Sequence, residues 1–183
     1  MEDNAAYLYN YCLKQNYVFE WKIVLLNNGS RDRTEEICRI LANKFPDKIK
    51  SENIAEPGKG LAIRNYFLKS RADLLVYMDI DLAVALDNLA ALIEPVLEGQ
   101  ADLVFGSRLL NESRVERSYL RSLSSVFYNL LSRLILRHGY KDLQCGFKAM
   151  SKELINKVFP RLVDNNWFFD TELIAWASFF KFK

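Results

Sequence analysis

The chain has 183 residues, with 25 lysines and arginines against 23 aspartates and glutamates. Half of the residues are hydrophobic and 26% are charged, which excludes a disordered chain and a bundle of membrane helices. A net charge of +2 excludes a strongly basic protein, and we expect no nucleic acid as a partner. The single histidine, His138, excludes metal sites that need two or three histidine ligands.

The three cysteines, Cys12, Cys38 and Cys145, are widely spaced and form no C-x-x-C motif. This pattern indicates neither a zinc site nor a disulfide framework, and it favours a reducing compartment. The acidic N-terminus is not typical of a signal peptide. The longest apolar-rich stretch, residues 120–136, contains two arginines and an asparagine, so we do not expect it to span a membrane.

Short apolar runs, typical of buried strands, alternate along the chain with segments of helical periodicity. In chain order they predict a strand at 22–26, a helix between a capping box at 32–35 and Pro46, a strand at 48–53, a helix at 61–69, a strand at 74–78, a helix at 86–97, a strand at 102–105 and a long helix at about 118–137. Such alternation favours an α/β fold with a parallel sheet. No repeat or linker divides the chain, so we expect one domain over residues 1–183.

Polar turns follow three of the predicted strands, at 27–30, 79–81 and 106–108. Ligands of parallel sheets bind at the carboxyl ends of the strands, so these turns should share one edge. In the second turn, the carboxylates of Asp79 and Asp81 could share a magnesium or manganese ion, completed by water and a substrate diphosphate. The alternative is two solvated loop acids, because a D-x-D pattern by itself is weak.

A glycine-rich turn, Gly58-Lys59-Gly60, precedes the third predicted helix, and Arg64 follows four residues after Gly60. Glycines let a phosphate approach the backbone, and Lys59 lies just before a helix N-terminus, where anions are favoured. The alternative is an ordinary turn with solvated basic side chains. The pattern is not a P-loop, because no serine or threonine follows the lysine.

Residues 106–141 contain seven basic and two acidic residues, for a net charge of +5. Arg117 and Arg121 stand four residues apart, on one face of the predicted long helix, and Arg108 and Arg114 precede it. Arginine can bind phosphate through two hydrogen bonds. A basic segment beside an apolar helix fits an anionic lipid surface better than a solvated helix face.

The C-terminal part contains carboxylates beside glycine and aromatic residues, which are candidates for binding an acceptor. Taken by itself, Asp170 is better explained as the N-cap of a helix that continues through Glu172. Cys145 is better explained as a small buried residue than as a nucleophile, because no base pairs with it.

Six short motifs follow one another along the chain: Asn27-Asn28-Gly29-Ser30-x-Asp32-x-Thr34, Gly58-Lys59-Gly60-x-Ala62-x-Arg64, Met78-Asp79-Ile80-Asp81-Leu82, Gly106-Ser107-Arg108, Asp142-x-Gln144-Cys145-Gly146-Phe147-Lys148 and Phe169-Asp170-Thr171-Glu172-Leu173. In this order they resemble the family 2 glycosyltransferases of GT-A fold, over residues 27–173. The fifth motif is similar to that of the polyprenyl-phosphate (dolichyl-phosphate) mannosyl- and glucosyltransferases. The resemblance implies a Rossmann-like α/β fold with a mostly parallel sheet flanked by helices.

The resemblance also implies an activity, namely inverting transfer of a hexose from UDP-glucose or GDP-mannose to polyprenyl phosphate. It implies that Asp79 and Asp81 bind the nucleotide diphosphate through a divalent metal, magnesium or manganese. The other implied site residues are Asn28 at the nucleoside, Lys59 and Arg64 near the sugar nucleotide, Arg108 with Arg117 or Arg121 at the phosphates of donor or lipid, and Gln144 and Asp170 at the sugar and acceptor. A polyprenyl phosphate is already an anionic nucleophile, so positioning and charge neutralisation would dominate catalysis.

Two departures from the family pattern qualify these expectations. Asn27 and Asn28 stand where the family usually carries aspartate, and asparagine supplies no charge to a nucleoside. Residues 5–15 correspond to the family's first helix, so the chain would lack the family's first strand and, after Lys183, a further strand and membrane helices. The expected location is peripheral, at the cytoplasmic face of a membrane. The alternatives are a family 2 enzyme acting on a glycan or soluble acceptor, or an inactive nucleotide-sugar-binding fragment.

Overall fold

A computed structural model of the chain describes residues 1–106 and 144–183. These ranges contain α1 (Glu2–Lys14), β1 (Ile23–Asn28), α2 (Thr34–Lys44), β2 (Ile49–Ile54), α3 (Lys59–Lys69), β3 (Leu74–Met78), α4 (Leu89–Leu97), β4 (Leu103–Phe105), β5 (Phe147–Ser151), α5 (Lys152–Val158) and α6 (Phe169–Phe179). Short 3-10 helices at Leu86–Asn88 and Phe159–Arg161 precede α4 and follow α5. The predicted helix at 118–137 lies outside the described residues.

The strands form two sheets. β1 and β2 pair in parallel, from Ile23 opposite Ile49 to Asn28 opposite Ile54. β5 lies between β3 and β4 and is antiparallel to both, so β3 and β4 run parallel to each other. The α/β class and the four predicted strands are confirmed. The antiparallel strand β5 is not predicted from the sequence, because Lys148 interrupts its short apolar run.

Local sequence explains where two of the helices begin. The Asp32 carboxylate accepts a hydrogen bond from the backbone N–H of Thr34 at 3.0 Å, and α2 begins at Thr34 inside the predicted capping box. The side chain of Ser151 accepts from the N–H of Leu154 at 3.2 Å and caps α5. The Ser151 cap satisfies a backbone donor that has no partner inside the helix, whereas the N-cap of α2 is Arg33, whose side chain makes no capping bond.

Helix α1 packs against both sheets. Its residue Ala5 belongs to the apolar cluster that contains Leu25 of β1, whereas Leu8 belongs to the cluster that contains Phe147 of β5. On the opposite side, Phe67 of α3 packs into a third cluster with residues of β3, α5 and α6. Burying an aromatic or aliphatic side chain of this size contributes about 1.5–3 kcal/mol. The helices therefore hold the strand ends of both sheets in place.

The described part of the chain tests the predictions on the cysteines, whereas residues 120–136, which are not expected to span a membrane, lie outside it. All three cysteines are buried and free, and the prediction that Cys145 is a small buried residue is confirmed. Of the helices within residues 1–106 and 144–183, none is long and apolar enough to cross a membrane.

Candidate functional site

The ends of β3 and β4 meet the beginning of β5. The backbone N–H of Asp79 donates to the carbonyl of Gly146 at 2.9 Å, and the N–H of Gly106 donates to the carbonyl of Phe147 at 2.9 Å. A Cβ atom on Gly146 would overlap the Asp79 carboxylate, so any larger residue there would displace that side chain. The structure thus brings two of the three predicted turns, at Asp79 and Gly106, to one edge, whereas the turn at 27–30 follows β1 of the other sheet.

Asp79 and Asp81 form the acidic part of this edge. The Asp79 side chain is 42% exposed, and Asp81 is also exposed. One oxygen of Asp81 accepts from the N–H of Ala83 at 3.1 Å, in a tight turn where Leu82 has a φ of +51°. Both carboxylates line a small cavity of about 40 Å³ beside Gly146.

The donor set of this turn fits a hard divalent cation, because carboxylate oxygens are the ligands that magnesium and manganese prefer. Within the described residues, no group of three or more histidine, cysteine, aspartate or glutamate side chains is placed to hold a metal. Asp79 and Asp81 would therefore hold such an ion as a pair, and water or a ligand's phosphate oxygens would complete its coordination.

Lys59 lies directly beside this acidic turn. It is the first residue of α3, and its ammonium nitrogen lies 3.1 Å from Oδ1 of Asp79 and 3.5 Å from Oδ2 of Asp170. Its side chain is only 13% exposed and lies over the rings of Tyr77 and Trp167, at 5.4 and 5.3 Å from their centroids. The structure therefore brings together Lys59, Asp79 and Asp170, three residues that the resemblance implied.

The backbone around Lys59 is closely packed. A Cβ atom on Gly60 would lie 2.7 Å from the carbonyl oxygen of Asp164 and 2.7 Å from Cβ of Phe169. Gly58 has a φ of +151°, which favours glycine, and the N–H of Leu61 donates to the carbonyl of Asn165 at 3.1 Å. The glycines on both sides of Lys59 therefore fix the start of α3 against residues 164–169.

Asp170 is the centre of a buried polar network. It is 1% exposed, and its Oδ1 accepts hydrogen bonds from the Tyr77 hydroxyl and, at 2.7 Å, from the ammonium of Lys148. The Lys148 ammonium is fully buried and also donates to the carbonyl of Cys145 at 2.6 Å. The interpretation of Asp170 as an N-cap is wrong, because the N-cap of α6 is Phe168 and Asp170 is the second residue of the helix.

Burial perturbs the proton affinities of the groups around Asp170. Burial lowers the pKa of Lys148, and the neighbouring Asp170 carboxylate opposes that shift. Burial also raises the pKa of Tyr77 well above its ordinary value, and the negative charge of Asp170 adds to this effect. Tyr77 therefore keeps its proton at neutral pH and acts as a hydrogen-bond donor to Asp170.

Arg64 contacts a backbone segment of the protein. Its guanidinium donates to the carbonyl of Leu162 at 2.7 Å and to the side-chain oxygen of Asn165 at 2.6 Å. Arg64 therefore fixes the segment that also packs against Gly58 and Gly60. Its implied place near a sugar nucleotide stays a prediction.

The structure describes two of the remaining candidate residues, Asn28 and Gln144. Asn28 ends β1 and is half-buried, whereas its neighbour Asn27 is buried and donates to the side chain of Asn53 at 2.7 Å. Gln144 is half-buried, one residue before the buried Cys145. Three implied phosphate-binding residues lie outside the described part of the chain, namely Arg108, Arg117 and Arg121.

Two members of the site, Tyr77 and Lys148, were not singled out as functional residues from the sequence. Tyr77 stands in an apolar run that predicts an ordinary buried strand, and nothing local marks its hydroxyl as paired with Asp170. Lys148 closes the fifth motif, and a lysine inside an otherwise apolar run is the one signal that could have identified a buried charge pair.

The fold is that of a GT-A glycosyltransferase. It aligns with the crystal structure of glucosyl-3-phosphoglycerate synthase from Mycobacterium tuberculosis in complex with Mn²⁺, uridine diphosphate and glucosyl-3-phosphoglycerate. The TM-score is 0.58 at 21% sequence identity, over 85% of this chain and 53% of that one. The family model "Glycosyl transferase family 2" matches residues 2–159, so the chain belongs to that family.

Curated relatives share more sequence with the chain. Dolichyl-phosphate beta-glucosyltransferase ALG5D from Trichomonas vaginalis is 31% identical over 189 residues, which cover 100% of this chain and 58% of that protein. Glycosyltransferase AglD from Haloferax volcanii is 36% identical over 159 residues, 86% of this chain and 25% of that protein. The chain thus spans at most about three fifths of the length of these two relatives.

Proposed function

We propose that the chain carries the nucleotide-sugar site of a glycosyltransferase that moves a hexose, with glucose from UDP-glucose as the first candidate, to polyprenyl phosphate. The observation that carries this proposal is the pair of accessible carboxylates, Asp79 and Asp81, at the end of β3 with the Lys59 ammonium 3.1 Å from Asp79. Membership of glycosyl transferase family 2 supports the reaction class. The Trichomonas vaginalis relative is a dolichyl-phosphate beta-glucosyltransferase, which supports glucose as the sugar and a dolichyl-phosphate acceptor.

Asp79 and Asp81 would hold a magnesium or manganese ion, which would neutralise charge on the departing diphosphate. The Mn²⁺ and uridine diphosphate in the aligned glucosyl-3-phosphoglycerate synthase support this choice of group. Lys59 adds a positive charge at the same edge, at the N-terminus of α3, where a diphosphate is favoured. Asn28, at the end of β1, is the candidate contact for the nucleoside.

The acceptor requires little acid–base chemistry from the protein. A polyprenyl phosphate is already an anion at neutral pH, so the chain has only to position it and to exclude water. Asp170 is 1% exposed and is bonded by Tyr77 and Lys148, which suits a positioning role toward Lys59. Gln144 is the candidate for contacts on the sugar and acceptor side.

We further propose that the protein acts at the cytoplasmic surface of a membrane. The net charge of +5 in residues 106–141 supports attraction to anionic lipid headgroups. Three arginines of this segment, Arg108, Arg117 and Arg121, are the candidates for binding the lipid phosphate.

A second candidate is transfer to a soluble acceptor. It is favoured by the aligned Mycobacterium tuberculosis enzyme, whose crystal structure holds glucosyl-3-phosphoglycerate. The two candidates share the donor side of the site and differ only in the acceptor. Partition of the product between water and an organic solvent therefore separates them.

The test is a transfer assay with the full chain. The protein is incubated with radiolabelled UDP-glucose or GDP-mannose, with polyprenyl phosphate in detergent and with or without Mn²⁺, and the products are extracted into an organic solvent. We expect label from UDP-glucose in the organic phase, only with Mn²⁺ present. Label confined to water-soluble glycosides would support the second candidate, and no transfer from either donor would contradict the proposal.

Matched variants locate the activity in the proposed site. Asp79→Asn removes one carboxylate of the pair, and we expect at least about a hundredfold loss of transfer, of the order found when one group that stabilises transition-state charge is removed. Asp73→Asn removes an exposed carboxylate on the other end of β3 and should leave the rate unchanged. Equal activity of the two variants would place the chemistry elsewhere.

A further inference from the structure

Lys59 lies between two carboxylates that differ in their surroundings. Asp79 is 42% exposed and contacts the Lys59 ammonium at 3.1 Å, whereas Asp170 is 1% exposed and lies at 3.5 Å. Asp170 also accepts hydrogen bonds from Lys148 and Tyr77. Of the two carboxylates, Asp79 is therefore the one that faces solvent and can exchange its partner.

The Lys59 ammonium is buried, yet within the described part of the chain its alignment gives it no hydrogen bond. It is held by charge alone, between the two carboxylates and over the rings of Tyr77 and Trp167. An ammonium with three N–H donors in this position can donate hydrogen bonds to a further anion at little cost, because no existing hydrogen bond has to break.

The backbone of Lys59 is fixed while its side chain can rotate. The close approach of Gly60 to Asp164 and Phe169 leaves no space for α3 to shift at this point. Four methylene groups separate the ammonium from the backbone, so a change of rotamer moves the charge without moving the helix. The Lys59 ammonium can therefore change its partner at this edge without a shift of α3.

We propose that Lys59 is the internal counter-cation of Asp79, that it leaves Asp79 when a divalent cation binds there, and that it then turns its ammonium to the diphosphate of the nucleotide while Asp170 keeps it in the site. The inference rests on the proposed function, since it takes Asp79 as a metal ligand beside a nucleotide diphosphate. Lys59 then opposes binding of the metal alone and favours binding of the metal together with the nucleotide.

Removing the Lys59 charge should change the affinities for Mn²⁺ alone and for UDP with Mn²⁺ in opposite directions. Removing the charge in Lys59→Gln or Lys59→Met should tighten binding of Mn²⁺ alone by about three- to tenfold, the scale of one partly exposed ion pair. The same variants should weaken binding of UDP in saturating Mn²⁺ by about tenfold, because a charge-assisted hydrogen bond to the diphosphate is lost. A merely structural role of Lys59 would weaken both.

The experiment is calorimetric titration of the full chain, first with Mn²⁺ alone and then with UDP in saturating Mn²⁺. Lys69→Gln, which neutralises an exposed lysine at the end of the same helix, is the matched control and should change neither affinity. Thermal melting establishes that each variant is folded, and Lys59→Met serves as the second variant if Lys59→Gln is not.

Tighter Mn²⁺ with weaker UDP in the Lys59 variants supports the exchange. Unchanged or weaker Mn²⁺ binding in variants whose melting is native-like overturns it, even if wild-type protein binds both ligands and the proposed function stands. If wild-type protein binds neither Mn²⁺ nor UDP with Mn²⁺, the proposed function fails and the exchange fails with it.

Discussion

The buried pair of Lys148 and Asp170 should dominate the stability of this half of the protein. Their charged atoms lie 2.7 Å apart, and the two side chains are 0% and 1% exposed. Removing one partner of a buried ion pair costs about 3–5 kcal/mol, because the other charge stays in the interior. In Lys148→Met, Asp170 keeps Tyr77 and the Lys59 ammonium at 3.5 Å, so we expect a loss near the lower limit, about 3 kcal/mol.

Asp170→Asn should cost more, about 4–5 kcal/mol, because it removes the carboxylate that faces both Lys148 and Lys59. The double variant removes both members of the pair, and its cost should fall short of the sum of the single costs by about 1–3 kcal/mol. Urea unfolding of the full chain, followed by circular dichroism, gives these free energies of unfolding. Lys69→Met, at an exposed position, is the control and should stay within about 0.5 kcal/mol of wild type.

Two results would refute this reasoning. Single costs below about 1 kcal/mol would mean that the two charges are solvated in the folded protein, contrary to their burial. If the cost of the double variant equals the sum of the two single costs to within about 0.5 kcal/mol, Lys148 and Asp170 do not interact, contrary to the 2.7 Å contact.

Three further predictions concern other parts of the fold. Gly60→Ala forces a Cβ atom to 2.7 Å from the carbonyl oxygen of Asp164 and from Cβ of Phe169, and it should lower the free energy of unfolding in urea by about 2–3 kcal/mol. Its control, Gly99→Ala, adds a Cβ atom in open space at a φ of +69° and should cost about 1 kcal/mol. Equal costs of the two variants would contradict the packing argument. Arg64→Met should lower the free energy of unfolding by about 2 kcal/mol in the same assay, because its hydrogen bonds to Leu162 and Asn165 disappear. An unchanged urea midpoint of unfolding would contradict this. Burial raises the pKa of Cys12 from 9.0 to about 11, so its contribution to stability is complete below pH 9 and is lost as pH rises through 11. Cys12→Ala should therefore show a shallower fall in unfolding free energy from pH 9 to 11 than wild type, and parallel pH profiles would contradict this.

Much of the fold follows from local sequence signals. The strand at 74–78 was predicted with the bounds it has, because an uninterrupted apolar run is flanked by Asp73 and Asp79. The helix predicted at 61–69 begins two residues earlier, at Lys59, where the N–H of Leu61 donates to the carbonyl of Asn165, a long-range contact that no local pattern encodes.

The candidate site was predicted in part. The motifs singled out Lys59, Asp79 and Asp170, and the structure places the Lys59 ammonium 3.1 Å from the Asp79 carboxylate and 3.5 Å from that of Asp170. The buried partners of Asp170 could not be predicted, because its contacts with Tyr77 and Lys148 join residues 93 and 22 positions apart in the chain. Sequence spacing indicates which face of an element a residue occupies, but long-range pairing depends on how the elements pack.

The central claim is that Asp79 forms a metal-dependent site for a nucleotide diphosphate. The most direct measurement is calorimetric titration of the full chain with UDP, in Mn²⁺ and in a chelator, for wild type and for Asp79→Asn. We predict binding to wild type only in Mn²⁺ and no binding to Asp79→Asn under either condition. Equal UDP affinity with and without metal, or equal affinity of the variant and wild type, would contradict the account.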